Sequence, residues 1–204
     1  MLLGGFVVAL KLKPSKTQPN YTATKLTYWQ KAVKDQPDVP KNWMQLGLTY
    51  LEFQQPDQAK SAFQKALSLS ANDPGANMQL ALLIKDSDPK KAEKMLKLAA
   101  AMSPVDYRVV PLVALGELLY SEGHYKAAKA VYSQAVGTDP SIFEARMGLG
   151  RTLQALGHEE DALTQYREAL RVNPGSAEVK AAIDSLGTGN PPDQATAATP
   201  TPST

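Results

Sequence analysis

Two lines of sequence decide the fold: Val109–Pro140, VVPLVALGELLYSEGHYKAAKAVYSQAVGTDP, and the stretch that follows it to Pro174, SIFEARMGLGRTLQALGHEEDALTQYREALRVNP. Leu115-Gly116, Gly123, Ala128, Tyr132, Ala135 and Pro140 return as Leu149-Gly150, Gly157, Ala162, Tyr166, Ala169 and Pro174, each 34 positions later. A single glycine or alanine match would carry little, but these residues repeat together.

Each position has a physical reason. Gly116 and Gly150 lie on a first helix, where a small residue admits a close neighbour. Gly123 and Gly157 end that helix, because glycine takes the left-handed conformation of a C-cap without penalty. Ala128, Tyr132 and Ala135 are four and three apart and share one face of a second helix. Small–large–small on that face seats one aromatic between two close approaches. Pro140 and Pro174 stop the second helix, having no amide hydrogen to donate.

The same unit extends outward in both directions. Residues 40–73 form a full repeat, with Trp43, Leu46, Gly47 and Tyr50 on its first helix and Ala59, Phe63 and Ala66 on its second. Residues 74–104 form a degenerate one: Leu80-Ala81 replaces Leu-Gly, Ile84 replaces the tyrosine, and the turn from Lys85 to Lys90 is one residue shorter. Residues 109–142 and 143–175 are the tandem pair. Residues 21–37 carry Leu26, Trp29, Ala32 and Val33 on one helical face before Pro37 and read as a half repeat, the second helix without its first. Ser176 is placed to N-cap a closing helix over 176–187, which a stacked array needs at its open end. Residues 188–204 are Thr- and Pro-rich with only Ala as an apolar residue and are expected to be disordered.

The composition is that of a globular protein, 43% hydrophobic and 21% charged, and a net charge of +2 gives no basic surplus for nucleic acid. With no cysteine, disulfides, thiolate metal sites and cysteine nucleophiles are excluded. Residues 1–12, MLLGGFVVALKL, are apolar but too short to cross a bilayer, which takes about 20 residues. Three readings stay open: part of a membrane anchor, a short membrane-associating or atypical signal segment, or an apolar start packed on the domain. Residues 13–20 read as a linker. Lys11, Lys13 and Lys16 favour a cytoplasmic domain and the Thr/Pro tail an exported one, so the side of the membrane stays open.

From about Tyr21 to Leu186 the chain resembles the tetratricopeptide repeat (TPR) family. Its first full repeat matches the W-x2-L-G-x2-Y…A-x3-F pattern residue for residue. The resemblance implies an all-α fold, an α-solenoid in which helix–turn–helix repeats wind into a right-handed superhelix, with a capping helix at the C-terminus. It also implies that the first helices line a concave groove for a peptide or partner helix. Carried over by register, the groove residues are Met44, Leu48, Leu51 and Glu52; Met78, Leu82, Lys85 and Asp86; Val113, Glu117 and Tyr120; and Met147, Arg151 and Gln154. Methionine suits surfaces that accept varied apolar partners. The Lys and Asn clamp with which chaperone-binding members hold a carboxylate is missing, because Met44, Leu48, Met78 and Leu82 occupy those sites.

The sequence carries no P-loop, dinucleotide fingerprint or nucleophile elbow. His124 and His158 each follow the turn glycine and read as polar turn residues rather than metal ligands. Glu159, Glu160 and Asp161 open a helix, where negative charge is favoured. Lys90, Lys91, Lys94 and Lys97 read as a solvated face. The expectation is therefore a non-enzymatic interaction scaffold without cofactor, metal or nucleic acid, associated with a membrane in a bacterial-type setting. Its partner is a protein or peptide, and its oligomeric state stays open. The alternatives are an assembly or chaperone-like factor for exported or membrane proteins, similar in layout to the repeat domains of cytochrome c maturation, and a regulatory repeat domain of a larger enzyme.

Overall fold

Proline opens helix after helix. α2 (Pro40–Glu52), α3 (Pro56–Leu69), α4 (Pro74–Ile84) and α5 (Pro89–Met102) each begin on one. There the missing N–H is one of the donors a helix leaves unbonded anyway. α1 (Pro19–Asp35) starts the same way, two residues earlier than the linker reading expects. After a short 3-10 turn at Val105–Tyr107 come α6 (Val109–Ser121), α7 (Tyr125–Thr138), α8 (Phe143–Ala155), α9 (Glu159–Val172) and α10 (Ala177–Gly187). The structure, a computed structural model, describes residues 19–187, and no strand occurs among them. The expectations for residues 1–12, most of 13–20, and 188–204 lie outside the described residues.

Side-chain caps fix three of the starts. Asp73 accepts from the Ala76 amide at 2.7 Å, Asp88 from the Lys91 amide at 3.1 Å, and the Ser176 hydroxyl from the Val179 amide at 3.3 Å. The turns inside three repeats share one geometry. His124 N–H donates to Leu119 C=O, His158 N–H to Leu153 C=O and Gln55 N–H to Tyr50 C=O, all at 2.9 Å, and the preceding residue closes the shorter loop. That preceding residue has positive φ in each case: Gly123 at 75°, Gly157 at 76° and Gln54 at 57°.

The chain forms two compact units, divided between Pro104 and Val105. In the first, α2 pairs with α3 and α4 with α5, while α1 packs on α2 and α3 on α4. In the second, α6 pairs with α7 and α8 with α9, α7 and α6 both touch α8, and α10 lies on α9.

The second helix of every repeat supplies the core. Ala59/Phe63/Ala66, Ala92/Leu96/Ala99, Ala128/Tyr132/Ala135 and Ala162/Tyr166/Ala169 are all at most 1% exposed. Each large side chain stabilises its repeat by roughly 2–3 kcal/mol through burial, and Phe63, Tyr132 and Tyr166 meet the first helix of their own repeat at its glycine. A Cβ on Gly47 would lie 2.7 Å from Phe63 Cδ1, and one on Gly150 2.6 Å from Tyr166 Cε1. In the first unit Val33, Leu46 and Ala62 form a cluster flanked by Leu26, Trp29, Trp43 and Tyr50, so α1 packs its apolar face on α2 and α3. Val179 on α10 is fully buried, which closes the second unit.

Candidate functional site

In the first unit the first helices are α2 and α4. Met44, Leu48 and Leu51 on α2, and Met78, Leu82 and Lys85 on α4, are half-buried, while Glu52 and Asp86 are exposed. None of the first six belongs to the fully sealed core. Met44 reaches across to α4: its Cε lies 2.8 Å from where a Cβ on Gly75 would stand. The apolar positions of the two helices therefore meet through the Met44–Gly75 contact. α1 borders α2, where Lys25 Nζ donates to Glu52 Oε1 and Oε2 at 2.5 and 2.7 Å and Gln30 Nε2 to Tyr50 Oη at 3.3 Å.

In the second unit the first helices are α6 and α8. Glu117, Tyr120, Arg151 and Gln154 are half-buried. Val113 and Met147 are not: they are 9% and 5% exposed and belong to the core. Eight of the 13 residues of α6 are buried, so a helix apolar nearly all round hides Val113 whatever its angular register. Met147 sits in the run Met147–Gly150, all four of which are buried.

The half-exposed residues of this unit form a polar group on buried tyrosines. The Arg151 guanidinium carbon lies 5.7 Å from the Tyr120 ring centroid, a cation–π distance. Tyr120 in turn packs on Tyr125 with ring centroids 5.2 Å apart. Tyr166 Oη donates to Gln154 Oε1 at 2.7 Å, and Arg151 is within hydrogen-bonding reach of the Tyr132 hydroxyl. Burial pushes the phenols of Tyr132 and Tyr166 well above the usual tyrosine range, and Glu117 adds to the effect at Tyr132. Arg151 Nε and Gln154 Nε2 are buried with no acceptor. The pairing of Tyr132 and Tyr166 with groove residues is not among the sequence expectations. Their hydroxyls are the one polar feature of the small–large–small pattern, and that is the signal which points to it.

Elsewhere the chemistry is sparse. His124 and His158 are exposed turn residues whose Nδ1 atoms lie 3.8 Å from Glu122 and 3.9 Å from Asp161. Among the described residues no group of three metal-ligating side chains gathers, and no helix is long and apolar enough to cross a membrane. Lys90, Lys91, Lys94 and Lys97 are exposed on α5, with Lys97 paired to Glu93 at 2.6 Å.

Comparison with known proteins bears on this arrangement. The family model of the cytochrome c-type biogenesis protein H TPR domain matches residues 29–138, and a tetratricopeptide repeat model matches residues 119–186. The chain is 29% identical over 122 residues to the BBSome complex member BBS4 of Bos taurus, covering 60% of this chain and 23% of that protein. It is 29% identical over 127 residues to the cytochrome c-type biogenesis protein CycH of Pseudomonas aeruginosa, covering 61% of this chain and 31% of that one. The chain thus spans less than a third of the length of either relative. The crystal structure of YrrB, described as a TPR protein with an unusual peptide-binding site, matches with a TM-score of 0.67 at 20% identity, over 79% of this chain and 82% of that one.

Proposed function

From the premise that this chain belongs to the family of the cytochrome c-type biogenesis protein H TPR domain, we propose that it is a non-catalytic scaffold which holds a peptide or helix of a partner protein along its first helices. The observation that carries this reading is the half-exposed apolar strip Met44, Leu48, Leu51, Met78 and Leu82 on α2 and α4. These side chains are large, adaptable and outside the sealed core, which is the chemistry of a surface that receives an amphipathic helix or an extended segment. Tyr120 and Arg151 supply the residue types that dominate binding hot spots. Association with a membrane, in a bacterial-type setting, rests on the apolar segment 1–12.

The test is a double substitution in the full chain, Leu82→Glu with Tyr120→Ala. The helical circular dichroism signal should stay, and capture of a partner identified with the unaltered chain should be lost. If the helical signal collapses, those residues are core and the register is wrong. If the variant folds and still binds, the partner uses another face.

A second reading, an assembly factor for exported or membrane proteins, is favoured by the family match and by the similarity to CycH. A helical groove for apolar segments suits that role, because such clients expose apolar stretches before they mature. A regulatory domain within a longer enzyme is the remaining alternative. The full gene sequence separates it from the scaffold reading by the presence or absence of a catalytic domain.

A further inference from the structure

We infer that the chain associates with further copies of itself head to tail, the outer face of α1 in one copy meeting the outer face of α10 in the next. Both helices are less covered than the interior helices they match. On α1, Trp29 and Ala32 have the spacing of Tyr132 and Ala135 on α7, yet they are half-buried while Tyr132 and Ala135 are sealed. Tyr28 beside them is 62% exposed and meets Trp29 edge to face, with ring centroids 4.8 Å apart. On α10, Ala182, Ile183 and Leu186 are half-buried where α8, 34 residues earlier, has the buried Gly148, Leu149 and Thr152.

The two faces are complementary in kind. α1 packs on α2 as α3 packs on α4 and α7 on α8, which is the place of a second helix. α10 packs on α9 as α4 packs on α3 and α8 on α7, which is the place of a first helix. One α1 and one α10 therefore supply the two halves of a repeat, whereas two α1 faces or two α10 faces do not. In the repeat of α8 and α9, Gly150 meets the Tyr166 ring. By the same register Asp184 comes opposite Trp29 and offers a carboxylate to the indole N–H, the polar group of that side chain. Asp184 is larger than the glycine at the matching place, so the two ends approach less closely than the helices of one repeat, and the association is weak.

Charge favours this pairing over like with like. Residues 19–104 hold eleven Lys against eight Asp and Glu, and residues 105–187 hold eight Lys and Arg against eleven Asp and Glu. At the ends themselves α1 carries Lys25, Lys31 and Lys34 against Asp35, and α10 carries Glu178 and Asp184 against Lys180. Unlike ends attract and like ends repel, over the reach of about 10 Å that 0.1 M salt allows. One like pair arises. Arg146 on α8 reaches Gln165 at 3.3 Å and Glu168 at 4.0 Å on α9, and the matching places are Lys180 on α10 and Tyr28 and Lys31 on α1. Lys31 is ion-paired with Asp35 on its own helix, which offsets that repulsion. A contact between unlike faces leaves one of each free, so copies add in a row.

The experiment is sedimentation equilibrium of the full-length chain from about 10 μM to about 1 mM, with two surface variants, Tyr28→Glu on α1 and Asp184→Lys on α10. The unaltered chain should sediment as one chain at the low end and gain mass with concentration, and raising salt from about 0.05 M to about 0.5 M should weaken the association severalfold. Each variant alone, with its helical circular dichroism unchanged, should associate at least about tenfold more weakly. An equimolar mixture of the two should form a 1:1 complex and stop there, because Tyr28→Glu keeps its α10 face and Asp184→Lys its α1 face. Tyr28→Ser and Asp184→Asn, smaller changes at the same exposed places, keep the test if either charge change costs helical signal. A chain that stays single at every concentration overturns the inference, as when residues 1–12 cover α1. Loss of association with Tyr28→Glu but not with Asp184→Lys marks an α1–α1 contact and overturns it too. Association that ignores both substitutions, or a mixture no heavier than its parts, has the same consequence.

Discussion

The ring of Tyr132 fills the space that a side chain on Gly148 would need. A Cβ built on Gly148 would lie 2.8 Å from the Tyr132 hydroxyl and closer still to the ring carbons, and one on Gly116 would lie 2.7 Å from Cε1. One phenol, 1% exposed, is therefore seated between α6 and α8 by two glycines. Gly148→Ala in a helix interior would ordinarily gain about 1 kcal/mol. Here overpacking costs about 1–3 kcal/mol or more, so the net effect is destabilising and thermal melting should fall by several degrees. The degenerate repeat supplies the compensated form, with Ala81 and Leu96 both buried at the equivalent places. Gly116→Ala and Tyr132→Leu should accordingly be less damaging together than the sum of the two singly, read as a double-mutant cycle.

Gln54 occupies the turn position that Gly123 and Gly157 hold in the tandem pair, and it has the same left-handed backbone, φ 57°. A side chain there costs about 1–2 kcal/mol, while glycine raises the entropy lost on folding by about 0.4–1 kcal/mol. Gln54→Gly should therefore stabilise the first unit by up to about 1 kcal/mol, and Gly157→Ala should destabilise the second by a similar amount. Urea midpoints measured with unchanged slopes would check both; a Gln54→Gly variant that melts lower would contradict the backbone argument.

These two sites also show what the sequence could and could not reveal. The repeat pattern placed the helices, and it identified the alanines and aromatics of the second helices, because burial there follows strict i, i+4, i+7 spacing. It missed the left-handed Gln54, since polar residues do not advertise that conformation. It read Pro19 as linker although proline at a first helical position starts α1. For the candidate site, Met44, Leu48, Met78 and Leu82 are half-buried on α2 and α4. Val113 and Met147 are buried instead, because burial there depends on how many sides of α6 and α8 are covered rather than on period. The unpartnered donors of Arg151 and Gln154 depend on where the Tyr120 and Tyr166 side chains lie, which no spacing encodes.

The two buried phenols make the protein alkali-sensitive. Burial raises the native pKa of Tyr132 and Tyr166 well above the unfolded value of about 10. A group whose folded pKa is raised contributes its full stability below the unfolded pKa and loses it as pH rises. The native state holds protons that the unfolded chain has released above pH ~10, so stability falls there by up to about 1.4 kcal/mol per pH unit for each phenol. Tyrosinate absorbance should rise together with loss of the helical signal. The Tyr132→Phe and Tyr166→Phe variants should shift that transition to higher pH; a transition that ignores both substitutions would assign alkaline unfolding to other groups.

The last prediction concerns residues 1–13. The first unit's N-terminal edge is already closed by α1, whose Leu26, Trp29 and Val33 pack with Leu46, Ala62, Trp43 and Tyr50. The Lys25–Glu52 ion pair at 2.5 Å adds a second tie between α1 and α2, although at an exposed site it contributes at most about 1 kcal/mol. The ring of Tyr28, on the same helix, is 62% exposed, so its outward side is solvated. If residues 1–12 serve a membrane rather than this core, their removal leaves the contacts of α1 in place. A chain that begins at Pro14 should keep its melting temperature within about a degree and remain monodisperse, while losing whatever partition into lipid vesicles the full chain shows. A fall of several degrees would show instead that MLLGGFVVALKL packs on the helices, and the membrane-association reading of that segment would fail.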